Sequence, residues 1–541
     1  MIIILIIIII KRQNKKVDLP TLPTPLNPQF KLGTENYQPI PDNVIYNIYA
    51  KCDETNYKIV TADPFTEDDD GKDIVISCNF NIISPDSVFQ SAGNMHTIGY
   101  GSRLYKKLSW NIKFSDKNKF LGRKSFKLRG IANDKSLIRE KLTSKVYKSA
   151  GVPVQEGAYA RLFINGDTYG LYLISDSFNK NWMGAYIHGD KKAKVGFTYK
   201  LVSTTPKGPY ASLKYLGENY KSYKKSGTYI LDEYEKDEVD PNDKAAPWAR
   251  LIEFTRLYDA WVTTYQNDTS DKAIEELKKF LNIESVLRVM AVDTLVIPLD
   301  NFWLIMSNSA LYYNPERGNY QIIPFDFDET MRGSWDEQYF NPNNYIKDCI
   351  TWPNYNESLY EHYFTNHLLE HPQIRKRYDI ILAELSHKTY DSDIIYNYIN
   401  AIASLIREDV QWNIDAVNNL NIPYNGKVQS FTMNHFEKNL KISVKPTSSV
   451  KDSYDLRDFV NLRGGFCRDY TSNIDTSDNS NISDDLKLEM SEIIPTPVTS
   501  SEEDQQIFNF NVVSLFGKRY SLGVKYDEEV VSLNSTAFPC K

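Results

Sequence analysis

The segment Gln321-Ile-Ile-Pro-Phe-Asp326-Phe-Asp328-Glu-Thr-Met runs four apolar positions straight into a carboxylate, a phenylalanine and a second carboxylate. On a strand, residues i and i+2 face the same side, so the spacing predicts that Asp326 and Asp328 project together. Two like charges at the end of a buried strand are costly unless a cation neutralises them. A hard divalent ion such as Mg²⁺ takes this oxygen-donor type. The plainer reading, favoured on this motif alone, is a strand that ends here with both carboxylates solvated. Upstream, the apolar run Ala291–Leu299 ends in Asp300-Asn301, followed by a strand-like stretch Phe302–Met306 and then Asn308. Phosphoryl transfer uses one Asp to orient or deprotonate the attacking hydroxyl, an Asn on metal, and a second Asp on the metal that bridges phosphates. Asp300-Asn301 by itself reads as a helix-to-strand turn. Taken with Asp326, the balance tips toward a site.

A basic stretch supplies the complement. In Lys124-Ser-Phe-Lys127-Leu-Arg129, Phe126 and Leu128 face inward and leave Lys127 and Arg129 on the opposite face. Gly99-Tyr-Gly101-Ser102-Arg103 precedes it, with Lys106-Lys107 just after the glycines. A small-residue turn with lysines on adjacent strands can cradle phosphate oxygens. It is not a Walker A loop, and a solvated basic face is the plainer alternative. Glu140, on the following helix, is expected to pair with Lys127 as a kinase helix glutamate pairs with its strand lysine. His367-Leu-Leu-Glu370-His371 spells a zinc-peptidase motif that needs both histidines on one helical face. Pro372 disfavours helix at His371, which argues against zinc.

The elements that must position these residues follow in a mixed order. Short β-like segments fill Asp73–Asn81, Leu108–Phe114 and Ser125–Arg129. A helix capped at Asn133 or Asp134 buries Ile138, Leu142 and Val146 and stops at Gly151. A hairpin, Tyr159–Ile164 and Leu171–Ile174, turns at Asn165-Gly166. A mostly helical half with a β insert comes next. The outline is α+β and bilobal, which excludes Rossmann and TIM readings. The expected division is a leader and Pro-rich extended linker at 1–75, a β-rich lobe at 76–180 and an irregular insert at 181–247. A helical lobe with the metal-site strands spans 248–470. A Ser/Asp-rich tail, expected to be disordered apart from an added hairpin at Ile507–Val513 and Tyr520–Val524, fills 471–541.

The 541 residues are 41% hydrophobic and 25% charged, and the net charge of −7 gives no global field for nucleic acid. Five widely spaced cysteines exclude a zinc ribbon and a disulfide scaffold and leave room for one distant bridge. The apolar run Ile2–Ile10 is too short to span a bilayer. It reads either as a degenerate secretion signal or as a gene-model artefact. Sequons at Asn267, Asn356, Asn481 and Asn534 fit secretion.

Several blocks together resemble the spore-coat-protein-H (CotH) kinase family over roughly residues 76–470. Lys124–Gly130, then Asp134, Leu137, Arg139 and Leu142, then Gly151, is similar to its lysine-bearing strand and following helix. Arg161-Leu-Phe-Ile-Asn165-Gly166-Asp-Thr-Tyr-Gly170-Leu-Tyr resembles its most specific hairpin. Asp300, Asn308-Ser-Ala-Leu-Tyr-Tyr and Ile323-Pro-Phe-Asp326 resemble its metal-site block. The resemblance implies an atypical protein kinase fold using ATP and Mg²⁺ or Mn²⁺ to phosphorylate Ser or Thr of secreted or surface proteins. It makes Asp300 the catalytic-loop-like acid, Asp326 the principal metal ligand, Asn308 a second metal ligand and Lys107 and Lys127 phosphate contacts; the residue reading above adds Asp328 to the metal set and Arg129 and Glu140 to the nucleotide-binding set. Two departures stand out: Ser175-Asp176 where a glutamate usually follows the hairpin, and Phe325 in place of a tryptophan. The alternative is a weak or inactive surface adhesin, invasin or spore-wall protein that binds a host-surface receptor. Either way the expected location is secreted or cell-surface, with no nucleic acid partner and no transmembrane span.

Overall fold

Strict alternation builds the first half. In a computed structural model of the chain, residues 16–491 are described, apart from 116, 205–207, 235, 237–238, 266, 334–345, 350–361 and 447–453. The backbone of Phe508–Val513 and Arg519–Val524 is described as well. Seven strands, β1 (Tyr46–Cys52), β2 (Ile76–Ile83), β3 (Val88–Thr97), β4 (Trp110–Phe114), β5 (Ser125–Arg129), β6 (Gly157–Ile164) and β7 (Asp167–Asp176), close a barrel in the order β1-β2-β3-β4-β5-β7-β6. Every pair is antiparallel except β1 with β6, which closes it in parallel. Trp110, Ile112, Phe126 and Leu128 fill the interior. Closure removes the exposed edges an open sheet of this size would carry. The β6–β7 turn takes positive φ at both Asn165 and Gly166, as the Asn-Gly pair predicts.

Helix α1 (Arg139–Ser149) follows β5 and buries Ile138, Leu142 and Val146 as expected. It starts later than its cap residue suggested. The Asp134 carboxylate accepts from the Ser136 and Arg139 amides and pairs with the Arg139 guanidinium at 2.6 Å, so a full turn intervenes. Helices α2 (Ala249–Tyr265), α3 (Ile283–Val296), α4 (Pro372–Glu384), α5 (Ser392–Asn419) and α6 (Leu456–Thr471) build the second half. Their apolar faces and α1 share one core. Strands β8 (Thr198–Leu201), β9 (Tyr229–Leu231), β10 (Ser309–Asn314) and β11 (Asn319–Pro324) form a second sheet in the order β11-β10-β8-β9. The chain is thus α+β.

Several expectations need correction. The segment expected to be an irregular insert supplies β8 and β9, which pair with β10 through Tyr199 and Leu201. The expected strand Phe302–Met306 is a one-turn helix, Phe302–Ile305, because the Trp303 amide is captured by Asp293 and the Ile305 amide by the Asn301 carbonyl. The Pro-rich stretch is not an extended linker. It is a strap: Leu22, Leu26, Phe30 and Tyr37 are buried, Gln29 N–H donates to the Gly151 carbonyl, and Arg288 of α3 donates to the Asn27 carbonyl. Its prolines fix φ and lack N–H groups, which suits a chain that packs without a ladder. The chain also carries two disulfides where at most one was expected. The β1–β2 register sets Cys52 opposite Cys78, and Cys349 is bonded to Cys467 of α6. Cys540 lies outside the described residues. Part of the tail expected to be disordered is a helix, Asp484–Ser491, with Leu486 buried. The apolar patches beyond it pair as an antiparallel hairpin, β12 (Phe508–Val513) with β13 (Arg519–Val524), in a separate unit. The leader at 1–10 and the sequons at Asn356 and Asn534 lie outside the described residues.

Candidate functional site

Four segments from distant parts of the sequence meet in one cleft of about 490 Å³. The Gly99–Gly101 turn lies along it, β5 presents Lys127 and Arg129 to it, and the segments after α3 and β11 bring Asp300, Asn308, Asp326 and Asp328. Alternation on β5 does what the sequence implied: Phe126 and Leu128 go into the barrel, and Lys127 and Arg129 face out. Strand β11 ends at Pro324, two residues before Asp326. Asp326 takes φ of 64°, a left-handed conformation that Asp tolerates better than most residues. The two carboxylates therefore converge through a turn and not through strand alternation. Asn308 also has positive φ, and its carbonyl accepts from the Phe325 amide. Asn301 is buried, and its side-chain amide donates to the carbonyls of Asn308 and Phe325, locking the two loops together.

Arg129 is the hub. Its guanidinium bonds Asp326, lies 3.5 Å from Asp328 and 3.0 Å from Glu140 of α1. Glu140 thus pairs with Arg129 and not with Lys127, because the last residue of β5 is the one that reaches the helix. Lys127 has no ion pair among the described residues. Burial, and then the positive charges of Lys200 and Arg129, bring Lys127 down to about 8. Burial and then the negative charges of Glu329 and Asp326 push the Asp300 carboxyl well above its ordinary value. Asp328 is pushed up by burial and by Asp326. Burial raises Glu140 to about 7, with Arg129 opposing. Burial works against Asp326 as well, but Arg129 and Lys127 outweigh it and hold its carboxyl below the ordinary value.

These residues fit a divalent cation. Oxygens of Glu140, Asp326 and Asp328 lie within 4.8 Å of one another, and the donor set is all carboxylate. Glu140 Oε2 and Asp300 Oδ1 are buried without a hydrogen-bond partner among the described residues. Among the described residues, the carboxylates of Glu140, Asp300, Asp326 and Asp328 gather around the cations Lys127 and Arg129, so negative charge is in excess and a hard cation would relieve it.

Other expected residues lie elsewhere or do other work. Lys107 lines the cleft, but its ammonium donates to the Leu171 carbonyl at 2.5 Å and to Asn413 of α5 at 2.7 Å. Burial brings it down to about 7. Arg103 turns away from the cleft into a bidentate pair with Asp73. Asp176, where the family pattern has a glutamate, is fully enclosed with Arg123 and Tyr37. Phe325 packs on Phe178. His371 is extended between two helices, so His367 and His371 do not share a helical face. Sequence reasoning missed Glu329, which accepts from the Asn133 side chain at 2.5 Å and faces Asp300. Its place directly after Asp328 was the available signal.

The comparisons with known proteins follow this geometry. The sequence model of the CotH kinase protein family matches residues 93–466. Invasin CotH2 of Rhizopus delemar is 23% identical over 406 residues, covering 73% of this chain and 62% of that protein. Invasin CotH3 of the same organism is 22% identical over 404 residues, with the same coverage. Inner spore coat protein H of Bacillus subtilis is 24% identical over 315 residues, 56% of this chain and 74% of that protein. The chain thus spans 62% of the length of the two invasins. Among the described residues no helix is long and apolar enough to cross a membrane. With the family model matching most of the chain, the protein belongs to the CotH kinase family.

Proposed function

We propose that the chain is an ATP-dependent protein kinase that passes the γ-phosphate to Ser or Thr of secreted or surface proteins. In this reading the barrel with α1 and the helical half act as the two lobes of a protein-kinase-like scaffold. The observation that carries it is the meeting of Asp300, Asn308, Asp326 and Asp328 with Lys127 and Arg129 in one cleft beside a glycine turn. Asp326, Asp328 and Glu140 would hold Mg²⁺ or Mn²⁺, with the Asn308 amide beside them. A bound divalent ion neutralises phosphate oxygens during transfer. Lys127, half-buried and without an ion pair among the described residues, is placed to contact phosphate oxygens. Arg129 holds Asp326, Asp328 and Glu140 in one arrangement. Asp300 accepts the proton of the attacking hydroxyl at its unpartnered Oδ1, and burial makes it a stronger base than an exposed carboxylate.

Transfer of radiolabelled γ-phosphate from ATP to a Ser-rich acceptor, with Mg²⁺ or Mn²⁺, tests this. Asp326→Asn removes the charge while keeping a residue that tolerates the left-handed backbone. Label that disappears in Asp326→Asn establishes the kinase. Absence of both transfer and metal-dependent nucleotide binding in the unaltered chain sinks it.

The names of the two invasin relatives favour a second reading, a surface protein that uses its outer face to bind a host-cell receptor. Two disulfides among the described residues fit an oxidising, extracellular setting for either reading. Cell binding that survives Asp326→Asn unchanged would support the second.

A further inference from the structure

We propose that Tyr147 and Asp293 are positioning residues that fasten the Asp300 turn to the Asp326–Asp328 pair and to the helix bearing Glu140. The proposal rests on the kinase reading for what is positioned, and on geometry for the fastening. Tyr147 sits on α1 two turns beyond Glu140, and Asp293 sits near the C-terminal end of α3, seven residues before Asp300. The Tyr147 hydroxyl donates to one oxygen of Asp293. The other oxygen accepts from the Trp303 amide at 2.9 Å, within the one-turn helix that follows Asp300-Asn301. The Tyr147 ring also stacks on Phe327 at 4.8 Å, and Phe327 is the residue between Asp326 and Asp328. Tyr147 therefore touches the Asp326–Asp328 loop directly, through Phe327, and reaches the Asp300 turn through Asp293, while riding on the helix that supplies the third carboxylate.

The energetic cost of this arrangement argues that it has a purpose. Tyr147 and Asp293 are fully buried. Among the described residues Asp293 has no cation partner, only a phenol and an amide. A buried carboxylate without a cation is expensive, and a Phe–Leu pair would fill the space more cheaply. What the polar pair adds is a fixed distance and direction between the two loops. Transfer chemistry is sensitive to such placement, since small misalignments of reacting groups lower the rate steeply.

A control lies between α1 and the segment that bears Asp326 and Asp328. The Thr143 hydroxyl of α1 bonds the Thr330 hydroxyl at 2.7 Å, equally buried, but it does not reach the Asp300 turn. Tyr147→Phe, Asp293→Asn and Thr143→Val are compared in the full chain. Hydrogen exchange at residues 299–306 and steady-state kinetics with ATP and a Ser-rich acceptor are measured. Loss of a hydrogen bond to a charged group predicts about tenfold faster exchange at 299–306 in Tyr147→Phe, and about a tenfold or greater loss of kcat with KM for ATP within about twofold. Thr143→Val leaves both within about twofold of the unaltered chain. Equal effects of Tyr147→Phe and Thr143→Val on exchange overturn the proposal, as does a normal kcat in Tyr147→Phe beside a transfer-competent parent. Should the parent transfer no phosphate, the kinase reading falls, and the difference in exchange alone decides whether the fastening exists. Asp293→Asn, which retains an oxygen for the Trp303 amide, serves where Tyr147→Phe does not fold.

Discussion

The carboxylates of the cleft differ in what holds them, and this predicts a pH dependence for metal binding. Asp326 is kept ionised by Arg129 and Lys127, whereas burial raises Glu140 to about 7, burial and the Asp326 charge raise Asp328, and burial with the charges of Glu329 and Asp326 raises Asp300. A cation binds the ionised forms, so protons must leave as it enters. Mn²⁺ affinity, read from its electron-spin resonance signal, should therefore fall at least about tenfold between pH 8 and pH 6. A flat profile would mean that Glu140 is not a ligand. At Asp326 the substituent matters: Ala must hold φ of 64° at a cost of about 1–2 kcal/mol, and Asn need not. Asp326→Ala should melt measurably below Asp326→Asn, although both lose metal-dependent nucleotide binding. The spacing of Asp300, Asn308 and Asp326 made this part of the site legible in the sequence. The partner of Glu140 was not legible, because alternation puts Lys127 and Arg129 on one face without saying which of them reaches α1.

At the level of elements, local signals were readable where one physical rule decided the outcome. Asn165-Gly166 demanded a two-residue turn and Pro372 ended a helix, and both are as the sequence implied. Phe302–Ile305 was misread because an apolar run of that length fits strand and helix alike, and the deciding contact, Asp293 to the Trp303 amide, is ten residues away. Strands β8 and β9 escaped notice because they are short and set in polar sequence, and only pairing with β10 makes them strands. A backbone contact at β6 gives a sharp test. A Cβ on Gly157 would stand 1.5 Å from the Ile174 carbonyl oxygen of β7. Gly157→Ala should force the two strands apart and cost about 3 kcal/mol or more in urea denaturation. Gly166→Ala has open space around it, and its cost is the positive φ alone, about 1 kcal/mol.

Across the whole molecule, Glu156 and Glu284 contribute to the acid response. Glu156 is held at about 2 by Lys145 and Lys148 against the opposing effect of burial, and Glu284 at about 2 by Arg288 and Arg377 in the same way. In the unfolded chain both titrate near 4.5. Their contribution to stability is thus complete above about 4.5 and is lost as pH falls from there toward 2. The urea midpoint should drop across that window, and Glu284→Gln should reduce the slope while lowering stability at neutral pH. The order of the expected elements announced an α+β chain. It could not announce which cysteines pair, since Cys52 and Cys78 meet only through the β1–β2 register and Cys349 and Cys467 only through tertiary packing.

The strap that precedes β1 bears on the order in which the protein is made. Its residues leave the ribosome well before their partners: Arg288 for the Asn27 carbonyl, Thr389 for the Pro23 carbonyl and the Glu489 carbonyl for the Gln29 side chain. A nascent chain can close its barrel once β7 has emerged, but Leu22, Leu26 and Phe30 must stay uncovered until the helices have been synthesised. Until then the growing chain presents an apolar segment to whatever machinery surrounds it, and fragments cut near residue 45 would be born without a piece of their own core.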